Sequence, residues 1–467
     1  MACTRRRFLG MAAGAAAAGA ARTGAAAEAN DGGASALPKP TAAQIAWQDC
    51  EVGLLYSFDL AIAAGRFAPN NTVRERMDPK LYNPTKLDTD QWLEAAKAAG
   101  AKYAVFTATH FNGFLQWQSE AYGYGLKQAS WRGGKGDVVG DFVASCRKAD
   151  VAPGIYFSTH RNVYWEVWGH YVDWGKGKGT AKQAAFNRVA EKMTAELCSR
   201  YGPLVQIWFD AGVKLPHEGG PDVLPIFAKH QPDSVFYHSS RRSDHRWIGN
   251  EAGRAPAPCW APMPRGEDGS VGHNFKGWKR HLAGGDPDGE VWSPGMADTP
   301  LRHHNWFWKP GQDRAVKSAA GLAAVYNRSV GHNCNLLLGE VINSDGLVPE
   351  HDIHRLAEFG KEVRRRFGKP IAETNGTGEC VELTLPRPRR INHMIAMEDI
   401  AHGERIRQYA LEGLAAGGTW RELCTGECVG HKRIQSFDPV DVAAVRLRTL
   451  KSRAAPCVRK LAVFDVT

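Results

Sequence analysis

The chain has 467 residues, 43% of them hydrophobic and 10% aromatic, which is enough to bury a sizeable core and excludes wholesale disorder. Its formal charge of +10 comes without a dense basic stripe interleaved with aromatics, which argues against a nucleic-acid partner. Beyond the amino terminus no segment is long and apolar enough to predict a membrane span.

The first motif is Thr4-Arg5-Arg6-Arg7-Phe8-Leu9-Gly10, followed by the Ala/Gly-rich run from Met11 to Ala20. Together they read as a twin-arginine export signal over residues 1–27, with Ala25-Ala26-Ala27 as small residues suited to cleavage, and they predict a periplasmic or secreted protein. Cleavage there takes the charge from +10 to +6, because four arginines and no acid are lost. The modest basic excess that remains suits an acidic polysaccharide or an anionic cell envelope. Of ten cysteines, Cys3 leaves with the signal, so at least one of the rest is unpaired in any disulfide scheme. Cys424 and Cys428 have no second close cysteine pair or histidine couple beside them, so zinc is not expected.

Residues 28–44 are Ala/Gly/Pro-rich and read as a linker. From 45 to 370, β-rich runs alternate with amphipathic helical ones. The predicted strands are Gly53 to Phe58, Tyr103 to Thr107, Gly154 to Ser158, Leu204 to Phe209, Ser234 to His238 and Asn335 to Leu338. A helix is predicted over Asp90 to Ala99, capped by Asp88 and stopped by Gly100, and another from about Lys182 to Arg200. Such alternation over roughly 300 residues points to an α/β fold of the (β/α)₈-barrel type. No Gly-x-Gly-x-x-Gly follows a strand, which argues against a dinucleotide site. Residues 371–467 change character to short strand-like runs, Val381 to Leu385, Ile391 to Met397, Val445 to Leu447 and Lys460 to Val466. They predict a C-terminal β-sandwich that either buttresses the barrel or binds carbohydrate.

The chemistry centres on Trp208-Phe209-Asp210, which ends the apolar run Val205-Gln206-Ile207 and so plants a carboxylate at the tip of a buried strand, where parallel barrels keep their active sites. A second acid, Glu251, lies in the glycine-containing stretch Arg246 to Gly253 about one strand unit later. Two carboxylates are the minimum equipment of a glycosidase. In a retaining enzyme they stand about 5 to 5.5 Å apart, one attacking the anomeric carbon and the other protonating the leaving oxygen, with no metal or cofactor required. On this reading Asp210 is the nucleophile, and Glu251 is the general acid/base, kept protonated by burial or by the charge of Asp210. His110, just past a strand, and His160 with Arg161, at another strand end, are candidates to touch a sugar; Trp208 shields the nucleophile, Trp247 could stack on a ring, and Trp306 with Trp308 could wall the pocket. Tyr164, Trp165 and Trp168 read as cover for a helix or loop.

Several ordered segments resemble the α-L-fucosidases, glycoside hydrolase family 29. They are Leu87-Asp88-Thr89-Asp90-Gln91-Trp92, Thr107 to Phe114, Gly136-Asp137-Val138-Val139 and Ile207-Trp208-Phe209-Asp210. Arg246 to Glu251 and Ser329 to Leu338 are similar to the branch that prefers α-1,3/4-linked fucose. The resemblance implies a barrel enzyme acting on an oligosaccharide or polysaccharide by retention, and it places sugar-gripping side chains at Tyr56, His110, Asn112, Asp298 and Arg302. The chain departs from the family where a histidine is expected near Tyr56, where a second histidine and an aspartate stand as Phe111 and Asn112, and where a glutamate stands as Met296. Replacing polar anchors with Phe111 and Met296 retunes the sugar pocket. Three functions therefore stay open: an α-L-fucosidase, the same chemistry on another α-L-linked or sulfated sugar, and a carbohydrate-binding protein with lost catalysis.

Overall fold

The computed structural model describes residues 36–67, 75–273, 275–415 and 417–466; the expected export signal and the first part of the expected linker lie outside the described residues. The linker expectation ends too late. Thr41 caps a helix, α1 (Ala42–Cys50), through a reciprocal pair of hydrogen bonds with Gln44, so residues 42–44 already belong to folded structure.

Eight parallel strands follow: β1 (Val52–Ser57), β2 (Tyr103–Thr109), β3 (Ala152–Phe157), β4 (Gln206–Val213), β5 (Val235–Ser239), β6 (Arg246–Trp247), β7 (Gly295–Pro300) and β8 (Cys334–Val341). They hydrogen-bond in the order β5-β4-β3-β2-β1-β8-β7-β6, which is chain order wound around a barrel with its seam between β5 and β6. The seam falls where residues 240–245 join those two strands with no helix between them. Elsewhere helices fill the crossovers: α2 (Thr89–Ala99), α3 (Val138–Ala149), α4 (Ala181–Arg200), α5 (Leu224–His230), α6 (Ala319–Ser329) and, after β8, α7 (Glu350–Phe367). Asp88 caps α2 as expected, accepting from the backbone N–H groups of Asp90 and Gln91, and Gly100 stops it with φ +78°. That left-handed turn favours glycine.

Strand parity sorts the side chains into two layers. Leu55, Val105, Tyr156, Trp208, Tyr237, Met296 and Leu337 pack together inside the barrel. Their neighbours Leu54, Tyr56, Phe106, Phe157, Phe209 and Leu338 face outward and pack with Trp92, Phe142, Leu197 and Phe359 of the helices. Each such side chain withdrawn from water contributes roughly 1.5–3 kcal/mol. The N-terminal end of the barrel is plugged by Trp47 of α1, whose indole N–H donates to Gln206 at 2.8 Å and whose ring stacks on His245 at 4.6 Å.

Beyond α7 the chain forms one six-stranded antiparallel sheet: β9 (Ala372–Thr377), β10 (Cys380–Glu398), β11 (Ile406–Leu414), β12 (Trp420–Gly426), β13 (Arg433–Ser452) and β14 (Cys457–Phe464). Its order is β9-β14-β10-β13-β11-β12. The runs expected as two short strands, Val381 to Leu385 and Ile391 to Met397, are halves of β10. Register shifts between Thr384 and Arg389 bend that strand, and β13 pairs along both halves, so both strands serve the two layers of the sandwich. Val381, Leu383, Met394, Val445 and Leu461 fill the space between the layers. On the opposite face Ile395, Met397, Ile434 and Phe464 join the barrel's own core. Arg459 and His431 also reach Asp49 of α1, at 3.1 and 2.7 Å.

Candidate active site

At the C-terminal mouth of the barrel a cavity of about 150 Å³ is lined by Leu55, Ser57, Thr107, His110, Phe111, Tyr156, Trp208, Asp210, Glu251, Asp298, Trp306 and Phe307. It therefore brings together His110, Trp208, Asp210, Glu251 and Asp298 of the residues singled out in the sequence. Among the described residues no group of three or more His, Cys, Asp or Glu side chains could hold a metal ion. A larger cavity, about 510 Å³, lies where the loop through Pro258 meets the sheet, but Glu427 is the only carboxylate lining it. Acid chemistry that needs two carboxyl groups belongs to the smaller one.

Asp210 is aimed by its strand. Trp208 pairs with Tyr156 on one side and Tyr237 on the other, after which the ladder to β5 slips before Val213. Ala211 takes φ +57° and Gly212 φ +80° in that slip, a left-handed kink that turns β4 just past the carboxylate. The Tyr156 hydroxyl donates to Asp210 Oδ2 at 2.9 Å. Burial pushes the Asp210 carboxyl above its ordinary pKa and the charge of Glu251 adds to that, while the Tyr156 hydrogen bond, the Ala211 backbone N–H and Arg161 act in the opposite direction.

Glu251 is held differently. It is exposed, on a loop, so the burial expected for a proton-carrying acid is absent there. The loop is shaped by Asn250, whose side chain accepts from Ala252 N at 3.0 Å and donates to Arg254 O at 3.2 Å. Gly253, at φ +66°, donates its N–H to the Asp298 carbonyl at 2.9 Å. A Cβ on Gly253 would stand 2.7 Å from Val325, so only glycine lets the loop lie this close to β7 and α6. Further down, the fully buried Arg246 donates to the carbonyls of Leu282, Ser293, Ala261 and Trp260 at 2.5–3.2 Å, stapling the long excursion between β6 and β7 to the barrel wall.

The carboxyl that burial does affect strongly is Asp298, 5% exposed, on the inward parity of β7. Burial pushes it to about 8 against the hydrogen bond from Trp247, with the charges of Glu251 and Asp210 adding to the rise. Trp247 Nε1 donates to its Oδ1 at 2.7 Å, which leaves Oδ2 to carry the proton. His110 is lowered to about 3 by burial and by Arg161, so its ring is neutral; Nδ1 has no partner among the described residues.

Other candidates lie elsewhere. Tyr56 has the wrong parity: one step from Leu55, it points out of the barrel and its hydroxyl donates to the Trp92 carbonyl. Asn112 is a buried brace, donating to Asp59 Oδ2 and accepting from Phe114 N, both at 2.9 Å. Arg302 is fully buried in a bidentate pair with Asp352, at 2.8 and 2.9 Å. Trp308 packs edge-on against Phe67, leaving Trp306 alone of that pair in the cavity wall, where its ring covers Gly339. His160 packs against His170 outside the lining, Trp247 acts through Asp298, and Arg161 lies between Phe111 and Trp168. Sequence reasoning missed Tyr156 and the stapling role of Arg246. The first has a readable signal, since it lies within an expected strand and packs against the inward-facing Trp208; the second has none, because its partners are backbone carbonyls far along the chain.

A sequence model described as Alpha-L-fucosidase matches residues 65–366. Alpha-L-fucosidase 1 of Arabidopsis thaliana is 28% identical over 471 residues, spanning 92% of this chain and 88% of its own length. A crystal structure from Bacteroides thetaiotaomicron VPI-5482 superposes with a TM-score of 0.87 at 42% identity, covering 92% of this chain and all of the other. A glycoside hydrolase 29 family member from an unknown rumen bacterium superposes at 0.77 with 27% identity, covering 92% of this chain and 78% of its own. This chain belongs to the α-L-fucosidase family, glycoside hydrolase family 29.

Proposed function

We propose that the chain is an exported retaining exo-glycosidase that removes α-1,3/4-linked L-fucose from glycans through a covalent glycosyl-enzyme intermediate. The observation that carries the reading is one small cavity shared by a strand-fixed carboxylate, Asp210, and a loop-borne one, Glu251. Asp210 attacks the anomeric carbon, and the Tyr156 hydroxyl, pointing at the same carboxylate, holds its free rotation in check. Glu251 gives its proton to the leaving oxygen and then takes one from the incoming water, a task suited to a group that solvent can recharge. Asp298, neutral at pH 7, donates its Oδ2–H to a sugar hydroxyl, and neutral His110 offers a further contact. Phe111, Phe307, Trp306 and Leu55 present apolar wall to a sugar carrying a methyl group.

The test is a panel of aryl glycosides and α-1,3/4-fucosylated oligosaccharides, with the anomer first released followed by NMR. Release of α-L-fucose supports the reading; the β anomer, or inactivity on every α-L-fucoside, overturns it. Export rests on the arginine motif, and replacing Arg6 and Arg7 by lysine should leave full-length precursor inside the cell. Continued export of the doubly substituted chain would refute that part.

A further inference from the structure

Arg161 stands at the rim of the sugar cavity, against Phe111. Its guanidinium carbon lies 4.7 Å from the ring centre of Phe111, which lines the cavity, and 4.2 Å from that of Trp168, which is 37% exposed. Two aromatic faces hold the planar group in place. Among the described residues, however, the side chain makes no ion pair and no hydrogen bond, and its Nε is buried without a partner. A guanidinium has five N–H donors, and a buried donor left without a partner is costly. Elsewhere in the barrel buried arginines carry charge-balancing or multiple carbonyl contacts, Arg246 to four carbonyls and Arg302 to Asp352, whereas Arg161 has neither. The fork at Arg161 is thus positioned and unspent.

We infer that Arg161 and Trp168 form the leaving-group subsite and select glycans whose sugar next to the fucose carries an oxyanion, a carboxylate or a sulfate. The inference rests on the proposed fucosidase activity and adds the class of aglycone. The acid cannot sit on the fucose itself, because the attacking carboxylate of Asp210 faces that position and would repel it. It has to lie outward, past Phe111, within reach of the Arg161 guanidinium and beside Trp168, whose partly exposed ring can pack against a sugar. A planar fork matches a carboxylate or sulfate bidentately, and a charge-assisted pair of this kind near low-dielectric aromatic walls survives competition from water. No charged group of the pocket except Arg161 is positive among its lining and rim residues named above, so the selection falls on this one side chain.

The experiment compares three synthetic disaccharides, α-L-fucose on neutral N-acetylglucosamine, on its sulfate ester and on glucuronic acid, with an aryl α-L-fucoside as reference. For the wild type, kcat/KM should favour at least one acidic disaccharide over the neutral one by about tenfold or more at low salt, and the advantage should shrink as salt rises. Which acidic arm wins identifies the oxyanion. In R161Q the ratio of acidic to neutral should collapse towards one, while R161K should keep only part of it because it loses the fork. W168A should lower the disaccharide rates relative to the aryl fucoside. Reading ratios within each variant removes any common effect on the chemical step, and an unchanged melting temperature shows the fold is intact. A wild-type ratio at or below one, or a ratio that R161Q leaves unchanged, overturns the inference. If the aryl fucoside is not hydrolysed, the proposed activity fails first, and calorimetric binding of the same three disaccharides then decides the subsite by the same ratios.

Discussion

The two acids of the pocket are built in opposite ways. Asp210 sits on a strand, half-buried, kinked into place by Ala211 and Gly212 and bonded by Tyr156. Glu251 stands exposed on a loop whose shape depends on Asn250, Gly253 and, at a distance, Arg246. The contrast matches what each must do. An attacking group loses rate with every fraction of an ångström of misplacement, so a strand end suits it. A group that gives and regains a proton each turnover needs solvent, and a loop pinned at its base supplies both reach and position.

The sharpest consequence is a difference between substrates. Asp210→Asn should abolish turnover of aryl and natural fucosides alike, by at least about 10³-fold. Glu251→Gln should cost natural glycans about 10²–10⁴-fold while sparing an aryl fucoside whose leaving group needs no proton. Equal losses on both substrates in both variants would erase the distinction drawn between the strand acid and the loop acid.

The loop can also be loosened from below. Arg246→Met removes a cation satisfied by four buried carbonyls and should destabilise the fold by about 3 kcal/mol, read as a lowered denaturation midpoint. Before unfolding, it should depress activity on natural glycans more than on aryl fucosides, because Glu251 rides on that loop. An unchanged midpoint would mean that the staple contributes nothing.

Asp298 yields a pH signature. Between its ordinary 3.8 and about 8 the folded chain holds a proton that the unfolded chain has lost, so this group makes stability fall as pH rises through that window and level off above it. Asp298→Asn should flatten that slope and remove an alkaline fall in kcat/KM near pH 8. The smallest effect is at the kink: Ala211→Gly, at φ +57°, should raise stability by up to about 1 kcal/mol, while any loss of rate would show that Ala211 holds Asp210 in register.

Much of this architecture was legible before the structure. Alternating β-rich and helical runs located six of the barrel strands within a few residues, because buried parallel strands are apolar and their helices carry caps such as Asp88 and Asp137. Those same caps are among the segments that resemble the family, so part of the resemblance reports folding rather than chemistry. Strands β6 and β7 were hidden, one by its two-residue length and the other by its polar content. In the C-terminal sheet the bends of β10 and β13 broke long strands into short-looking runs, and β9, β11 and β12 went unseen. At the site, strand ends were readable but parity was not: Tyr56 and Leu55 differ by one residue, and only the register with neighbouring strands decides which of them faces the sugar. Arg302 looked like a ligand because its partner, Asp352, comes from a helix fifty residues away.

The most direct test of the account is to trap the intermediate. A 2-fluoro-L-fucosyl fluoride should acylal-link to the enzyme and decay slowly, so that digestion and mass spectrometry find one added sugar on the peptide containing Asp210. A label on Asp298, on Glu251, or no label from an enzyme that hydrolyses the aryl fucoside, would contradict the assignment of Asp210 as the nucleophile.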